Sequence, residues 1–270
     1  MSQPNNYGSG KKKRRRGGKK NKKYQQYNQQ QNNYHQQSHH DEYKQQSQSN
    51  DDLMIIDGSM MEGGGQILRN STAFAALMKR PVHITKIRGK RSTPGLRKQH
   101  SKGIELVSKI NGGFVEGNFV KSMDMKFWPS ATPSYLSTYS TDIETAGSVC
   151  LLMQTVLPLM IFSPLQCSLT CIGGTNASFA PQIDWFILIL QPMLKRLMNI
   201  EIDIQCLQRG FFPKGGGKIL LKTNPIEYIP AFDLTKKGQL KQITGSVIIG
   251  GRGLGLSIGK DIVKGATREL

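Results

Sequence analysis

The sequence predicts an α/β chain (α+β in the arrangement of its sheets) assembled from repeated βαβαββ modules. Three observations point there: strand-like and helix-like stretches alternate from Asp51 onward, the same element order recurs, and the first fifty residues differ sharply in composition from the rest. Residues 53–56 read as a strand, 66–78 as a helix, 82–87 as a strand of alternating pattern, 96–110 as a helix and 113–128 as a strand pair. Residues 147–162 then read as a helix and 167–171 as a strand. A helix with Pro181 in its first turn follows over 181–198, and 200–207 with 218–222 form a second strand pair. Residues 243–249 read as a further strand, ahead of glycines and a helical C-terminal stretch.

Residues 1–50 cannot bury enough apolar surface to fold, being a basic block (11–23) followed by a Gln/Asn/His/Ser/Tyr-rich stretch. They carry 11 basic and 2 acidic side chains, against 26 and 16 in residues 51–270, so both parts contribute to the net charge of +19. A surface this positive favours polyanions through counterion release, nucleic acid first among them. Charge by itself does not separate RNA from DNA or from an anionic membrane. The run Lys11-Lys12-Lys13-Arg14-Arg15-Arg16 reads as a nuclear import address or a non-specific RNA grip, which places the protein in the nucleus (nucleoplasm), with the cytoplasm as a second compartment.

No membrane association is expected. The apolar run 149–162 spans 14 residues and holds Gln154 and Pro158, too short and too interrupted to cross a bilayer. The four cysteines, at 150, 167, 171 and 206, sit in apolar or strand-like segments and read as reduced core residues.

The chemistry is concentrated in two glycine-rich segments. In Met61-Glu62-Gly63-Gly64-Gly65-Gln66-Ile67-Leu68-Arg69, three glycines precede an apolar-periodic stretch, so backbone N–H groups at a helix start can approach an anion closely. Arg69 lies in the first helical turns, where a cation opposes the helix dipole, a mild cost that argues for a role. Gln66 is placed either to donate to a phosphate or to cap the helix. The second segment, Arg91-Ser92-Thr93-Pro94-Gly95-Leu96-Arg97-Lys98-Gln99-His100, follows Arg88. Arginine suits phosphate because its planar fork donates two parallel hydrogen bonds. Gln154, midway along an apolar helix, requires a partner if buried, since an unpaired amide costs on the order of 1–3 kcal/mol. Asp184 reads as a dipole partner in a first helical turn and Lys214 as a turn lysine within reach of RNA phosphate. His83 reads as a satisfied or half-exposed strand residue.

These two segments, in this order, resemble the RNA 3′-terminal phosphate cyclase family. Three further blocks fit the same family in its order: Thr145-Ala146-Gly147-Ser148-Val149-Cys150-Leu151-Leu152-Met153-Gln154, the stretch from Gly173-Gly174-Thr175-Asn176 to Ala180-Pro181-Gln182-Ile183-Asp184, and Arg209-Gly210-Phe211-Phe212-Pro213-Lys214-Gly215-Gly216-Gly217. The resemblance covers Asp51 to Leu270. It implies a cyclase core of two βαβαββ repeats over 51–235 and the start of a smaller inserted domain over 236–270. It also implies an ATP-dependent conversion of an RNA 3′-phosphate to a 2′,3′-cyclic phosphodiester, with ATP and a divalent cation (Mg²⁺ or Mn²⁺) as cofactors and RNA bearing a 3′-phosphate as partner. The implied contacts are Gln154 and Pro181 for ATP, Glu62 for the metal, and Gln66, Arg69, Arg88, Arg91, Arg97, Gln99 and His100 for phosphate or RNA. The family's adenylylated histidine lies in its last core repeat, and no residue here matches it. A branch of the family that serves in ribosome assembly without a nucleophile supplies the alternative, a non-catalytic RNA-binding protein.

Overall fold

A computed structural model describes residues 53–236, 238–250 and 253–269. The basic tail and the roles expected of it lie outside these residues. The first module runs β1 (Met54–Asp57), α1 (Gly65–Met78), β2 (Val82–Thr85), α2 (Lys98–Asn111), β3 (Phe114–Glu116) and β4 (Met125–Trp128). Its sheet has the order β1-β2-β4-β3. β1 and β2 are parallel, with Ile55 opposite His83, which requires a crossover, and α1 supplies it. β4 is antiparallel to both its neighbours. Period-two alternation buries Val82, Ile84, Met125 and Phe127, while His83, Thr85, Lys126 and Trp128 are only partly covered.

The second module repeats this wiring: β5 (Thr138–Asp142), α3 (Val149–Ile161), β6 (Cys167–Gly173), α4 (Ile183–Trp185) leading through a π-helical stretch Phe186–Leu190 into α5 (Gln191–Met198), then β7 (Ile202–Gln208) and β8 (Gly217–Thr223). Its sheet order β5-β6-β8-β7 and its pairing senses match the first. A final helix, α6, spans Leu256–Glu269. α1, α2 and α3 pack on one another, and one hydrophobic core runs through both modules. α3 is its centre, burying Val149, Leu152, Met153, Val156 and Met160 among others. Cys150, Cys167 and Cys171 are buried as free thiols, and burial pushes Cys150 and Cys171 up to about 12. Among the described residues, no helix is long and apolar enough to cross a membrane.

Two expectations are corrected, and one strand is added to the reading. β5 has no counterpart in the sequence reading, because Thr-Tyr-Ser-Thr-Asp offers one buried apolar side chain, Tyr139, on an edge strand. Residues 243–249 form no strand: nothing among the described residues pairs with them, and their backbone is irregular and mostly exposed. Pro181 does not open a helix. It precedes the N-cap, Gln182, of α4, and the helical run to Met198 is interrupted by π geometry through the apolar Phe186–Leu190.

Candidate active site

The connections leaving the parallel strands β1 and β2 build the site. β1 ends in Asp57, whose Oδ1 accepts from Ser59 N (2.8 Å) and Ser59 Oγ (2.6 Å) and whose Oδ2 accepts from Lys86 Nζ (2.9 Å). These contacts hold its carboxyl well below the usual carboxylate range and fold the glycine segment back toward the end of β2. The sequence reading passed over Asp57; the signal was Asp-Gly-Ser at a strand end.

α1 then starts at Gly64 with no side-chain cap and no acid in its first turn. Its first N–H groups therefore have no capping side chain, and the helix dipole adds partial positive charge there. Cations and an imidazole fill the space that absent Cβ atoms leave. A Cβ on Gly64 would meet Arg91 Nη2 at 2.9 Å, and one on Gly65 would collide with His100 Nε2. Arg91 Nη2 also donates to Glu62 Oε2 at 3.1 Å in an exposed ion pair.

His100 is held from behind. The backbone N–H of Arg97 donates to its Nδ1 at 3.2 Å, which puts the ring hydrogen on Nε2, facing the start of α1. Burial, then Arg88, Arg69 and Arg97, push its pKa down to about 3. It is a neutral donor, not a cation. Arg69 is partly buried, and its Nε is buried without a hydrogen-bond partner among the described residues. It borders a water-sized cavity of about 10 Å³ shared with Thr72, Gln99, His100 and Thr155. This cavity underlies the site and is too small to hold a phosphate.

Arg88 and Arg97 serve the loop as well as its charge. Arg88 is 8% exposed and donates through Nη1 to the carbonyls of Thr93 (2.7 Å) and Gly95 (3.0 Å). Arg97 Nη2 donates to Thr93 Oγ1. Gly95 sits at φ +81 against the Lys121 carbonyl, where a side chain has no room. Gln99 is spent structurally through its oxygen: Oε1 accepts the Ser148 N–H at 2.7 Å, joining α2 to the start of α3. Gln66 is exposed and caps nothing.

Glu62, Gln66, Arg69, Arg88, Arg91, Arg97 and His100 are thus gathered around the start of α1 and the loop that packs on it. The two residues expected to contact ATP are placed differently. Gln154 is exposed on α3 and not buried, so the desolvation reason for giving it a partner fails. Pro158, four residues on, lacks the N–H that would otherwise bond the Gln154 carbonyl. Pro181 is exposed and borders an open recess of about 460 Å³ with Gln182 and Trp185. Trp185, 45% exposed and edge-on to Phe186, was not singled out from sequence.

Asp184 makes a two-pronged ion pair with Arg209, at 2.6 and 2.8 Å, which lowers the Asp184 pKa. Lys214 is exposed. His83 Nε2 lies 2.7 Å from Asp124 Oδ1, as a satisfied strand residue. Among the described residues no group of three or more His, Cys, Asp or Glu side chains could hold a metal ion.

The sequence model of the family described as RNA 3′-terminal phosphate cyclase matches residues 60–252. The RNA 3′-terminal phosphate cyclase of Pyrobaculum aerophilum is 36% identical over 182 residues, 67% of this chain and 51% of that protein. That of Drosophila melanogaster is 34% identical over 207 residues, 77% of this chain and 56% of its own length. The probable RNA 3′-terminal phosphate cyclase of Dictyostelium discoideum is 37% identical over 182 residues, covering 67% and 42%. The chain spans about half the length of the curated relatives it matches.

Proposed function

The chain belongs to the RNA 3′-terminal phosphate cyclase family, and from that premise we propose that it carries the phosphate-binding half of an ATP-dependent RNA 3′-phosphate cyclase. The observation that carries this reading is the convergence of Arg91 and the neutral Nε2–H of His100 on the uncapped start of α1, with Arg69 and Arg88 behind them. The substrate is RNA ending in a 3′-phosphate, and the product is its 2′,3′-cyclic phosphodiester. ATP would supply an AMP group to the 3′-phosphate with release of pyrophosphate, and that AMP would leave as the vicinal 2′-OH forms the new bond to phosphorus.

The chain's own residues bind and orient. The α1 N–H groups and Arg91 neutralise the phosphoryl oxygens, and His100 adds a neutral donor whose direction is fixed by Arg97. Arg69 and Arg88 contribute charge from partly desolvated positions, where it is less screened than in bulk water. Glu62 is one exposed carboxylate beside the loop. It fits Mg²⁺ or Mn²⁺, hard ions that take one or two protein carboxylates and complete their shell with water and phosphate oxygens. Such an ion neutralises charge on phosphate groups. Pro181 and Trp185 line a recess that suits a nucleotide base, and Gln154 is an exposed amide on α3.

Of the two histidines among the described residues, His83 is paired through Nε2 with Asp124 on the sheet, and His100 has its Nδ1 lone pair accepting the Arg97 N–H while Nε2 carries the hydrogen, which leaves His100 without a free lone pair. The basic run 11–16 supports the nucleus as the site of action.

The test is binding without turnover. An RNA oligonucleotide ending in a 3′-phosphate is expected to bind more tightly than its 3′-hydroxyl twin by fluorescence anisotropy, and Arg91→Ala is expected to abolish most of that preference. Equal affinity of the two RNAs for the parent chain sinks the reading.

A further inference from the structure

The β3–β4 connection, residues 117–124, presents an aromatic ring and a cation to solvent from an immobilised backbone. Phe119 is 64% exposed and Val120 50% exposed, and Lys121 beside them is exposed with a positive φ of 73. A flexible loop would readily fold such a ring away. This one is fixed at several points: Lys121 N donates to Leu96 O (2.7 Å), Leu96 N to Ser122 O (2.9 Å) and Ile87 N to Met123 O (2.9 Å). Asn118 Nδ2 donates to Ser101 O at 3.1 Å, which ties the loop to α2 as well.

The anchor points matter because of what they belong to. Leu96 and Gly95 are part of the basic loop, and Arg88 donates to the carbonyl of the same Gly95 whose missing Cβ admits the Lys121 backbone. The backbone of Lys121, two residues past Phe119, is therefore bonded directly to the basic loop at Leu96. Arg91 and Arg97 act electrostatically on Arg88 within that basic loop, and the ion pair of Asp124 is directed to His83 on the sheet. An exposed ring beside a cation is the arrangement on which unpaired bases stack while their phosphates are neutralised. A ring carried on a fixed backbone leaves only its own side-chain rotations to be lost when a base covers it.

We propose that Phe119 and Lys121 form a stacking platform for a base of the RNA strand upstream of its terminal nucleotide, so that the strand is gripped next to the end being processed. This rests on the RNA-end reading above and adds to it the single-stranded character of the substrate and a means of holding more than its last nucleotide.

The full chain is titrated with a 3′-phosphorylated oligoribonucleotide carrying 2-aminopurine at each of its last few positions in turn, and separately with a nucleoside 3′-monophosphate, which lacks an upstream base. In the parent chain one upstream 2-aminopurine is expected to be quenched by stacking. Phe119→Ala should abolish that quenching and weaken oligonucleotide binding by about 5- to 150-fold, while leaving mononucleotide binding unchanged. Phe119→Trp should preserve both, which excludes a folding defect. Lys121→Ala should weaken the oligonucleotide and reduce its salt slope by about 1. Oligonucleotide binding that is indifferent to Phe119→Ala, as it would be for a ring that meets a protein, overturns the platform alone. A parent chain that binds neither phosphorylated probe overturns the functional reading and the platform with it.

Discussion

The two modules share one topology and differ at the same place in it. In the first, the helix after the leading strand opens at Gly64 with no side-chain cap, facing Arg91 and His100. In the second, the equivalent helix opens at Ser148, whose Oγ accepts the Leu151 N–H at 3.3 Å and whose own N–H is taken by Gln99. Val149 N is taken in turn by the Gly174 carbonyl at 3.0 Å. One helix start is left open to a ligand and the other is closed by its own chain. The sheets differ in the same sense. β6 pairs with β8 over seven residues, whereas β2 pairs with β4 over three. The open, basic helix start lies in the module with the shorter ladders, and the longer-laddered module closes its equivalent helix start with its own chain.

The largest expected effect tests that division. Ile219 is fully buried in β8, and Ile219→Ala should cost about 2–5 kcal/mol in chemical denaturation. The protein that remains folded should keep its preference for a 3′-phosphate. Loss of that preference in proportion to stability would merge the two roles.

A pH titration of stability comes next and concerns the first module. His100 is held neutral to about pH 3 in the folded chain, while in the unfolded chain it protonates near 6.5. Between these values the unfolded state binds the extra proton, so stability falls as pH falls, by up to about 1.4 kcal/mol per pH unit, and no further below about 3. His100→Asn should flatten this slope, measured as denaturation midpoints between pH 7 and pH 4. An unchanged slope means the ring is not held neutral.

The smallest effects come as a pair. Gly65→Ala pushes the His100 ring off the helix start and should reduce the 3′-phosphate preference by about tenfold, equivalent to about 1.4 kcal/mol. Ser148→Ala removes a cap and should cost about 1 kcal/mol of stability without touching the preference. If Ser148→Ala alters selectivity as strongly as Gly65→Ala, the contrast between the two helix starts collapses.

Much of this contrast was legible in the sequence. The glycine segment, the arginines and the helix they precede are local patterns, and the repeat shows in element order. The remainder depends on tertiary partners that spacing does not reveal. β5 hides because an edge strand buries one face over few residues, leaving Tyr139 as the only buried apolar side chain in it. Residues 243–249 have strand composition but no neighbouring strand to pair with among the described residues. Gln154 has apolar neighbours along the chain, yet helical geometry turns it outward while Met153 and Thr155 on either side are buried. The basic residue types were readable, but not how they are used. Arg88 gives two hydrogen bonds to its own loop, and Gln99 gives its oxygen to the second module.

That last contact bears on how the molecule can be recombined. Gln99 Oε1 meets Ser148 N, a Cβ on Gly147 would press on the same oxygen at 3.1 Å, and Lys98 and Lys102 both reach Glu144. The joint is made half by each module, one residue from His100. A chimera that exchanges either module alone inherits half a joint, so a graft of the phosphate loop onto a new partner must carry the turn at 144–148 with it.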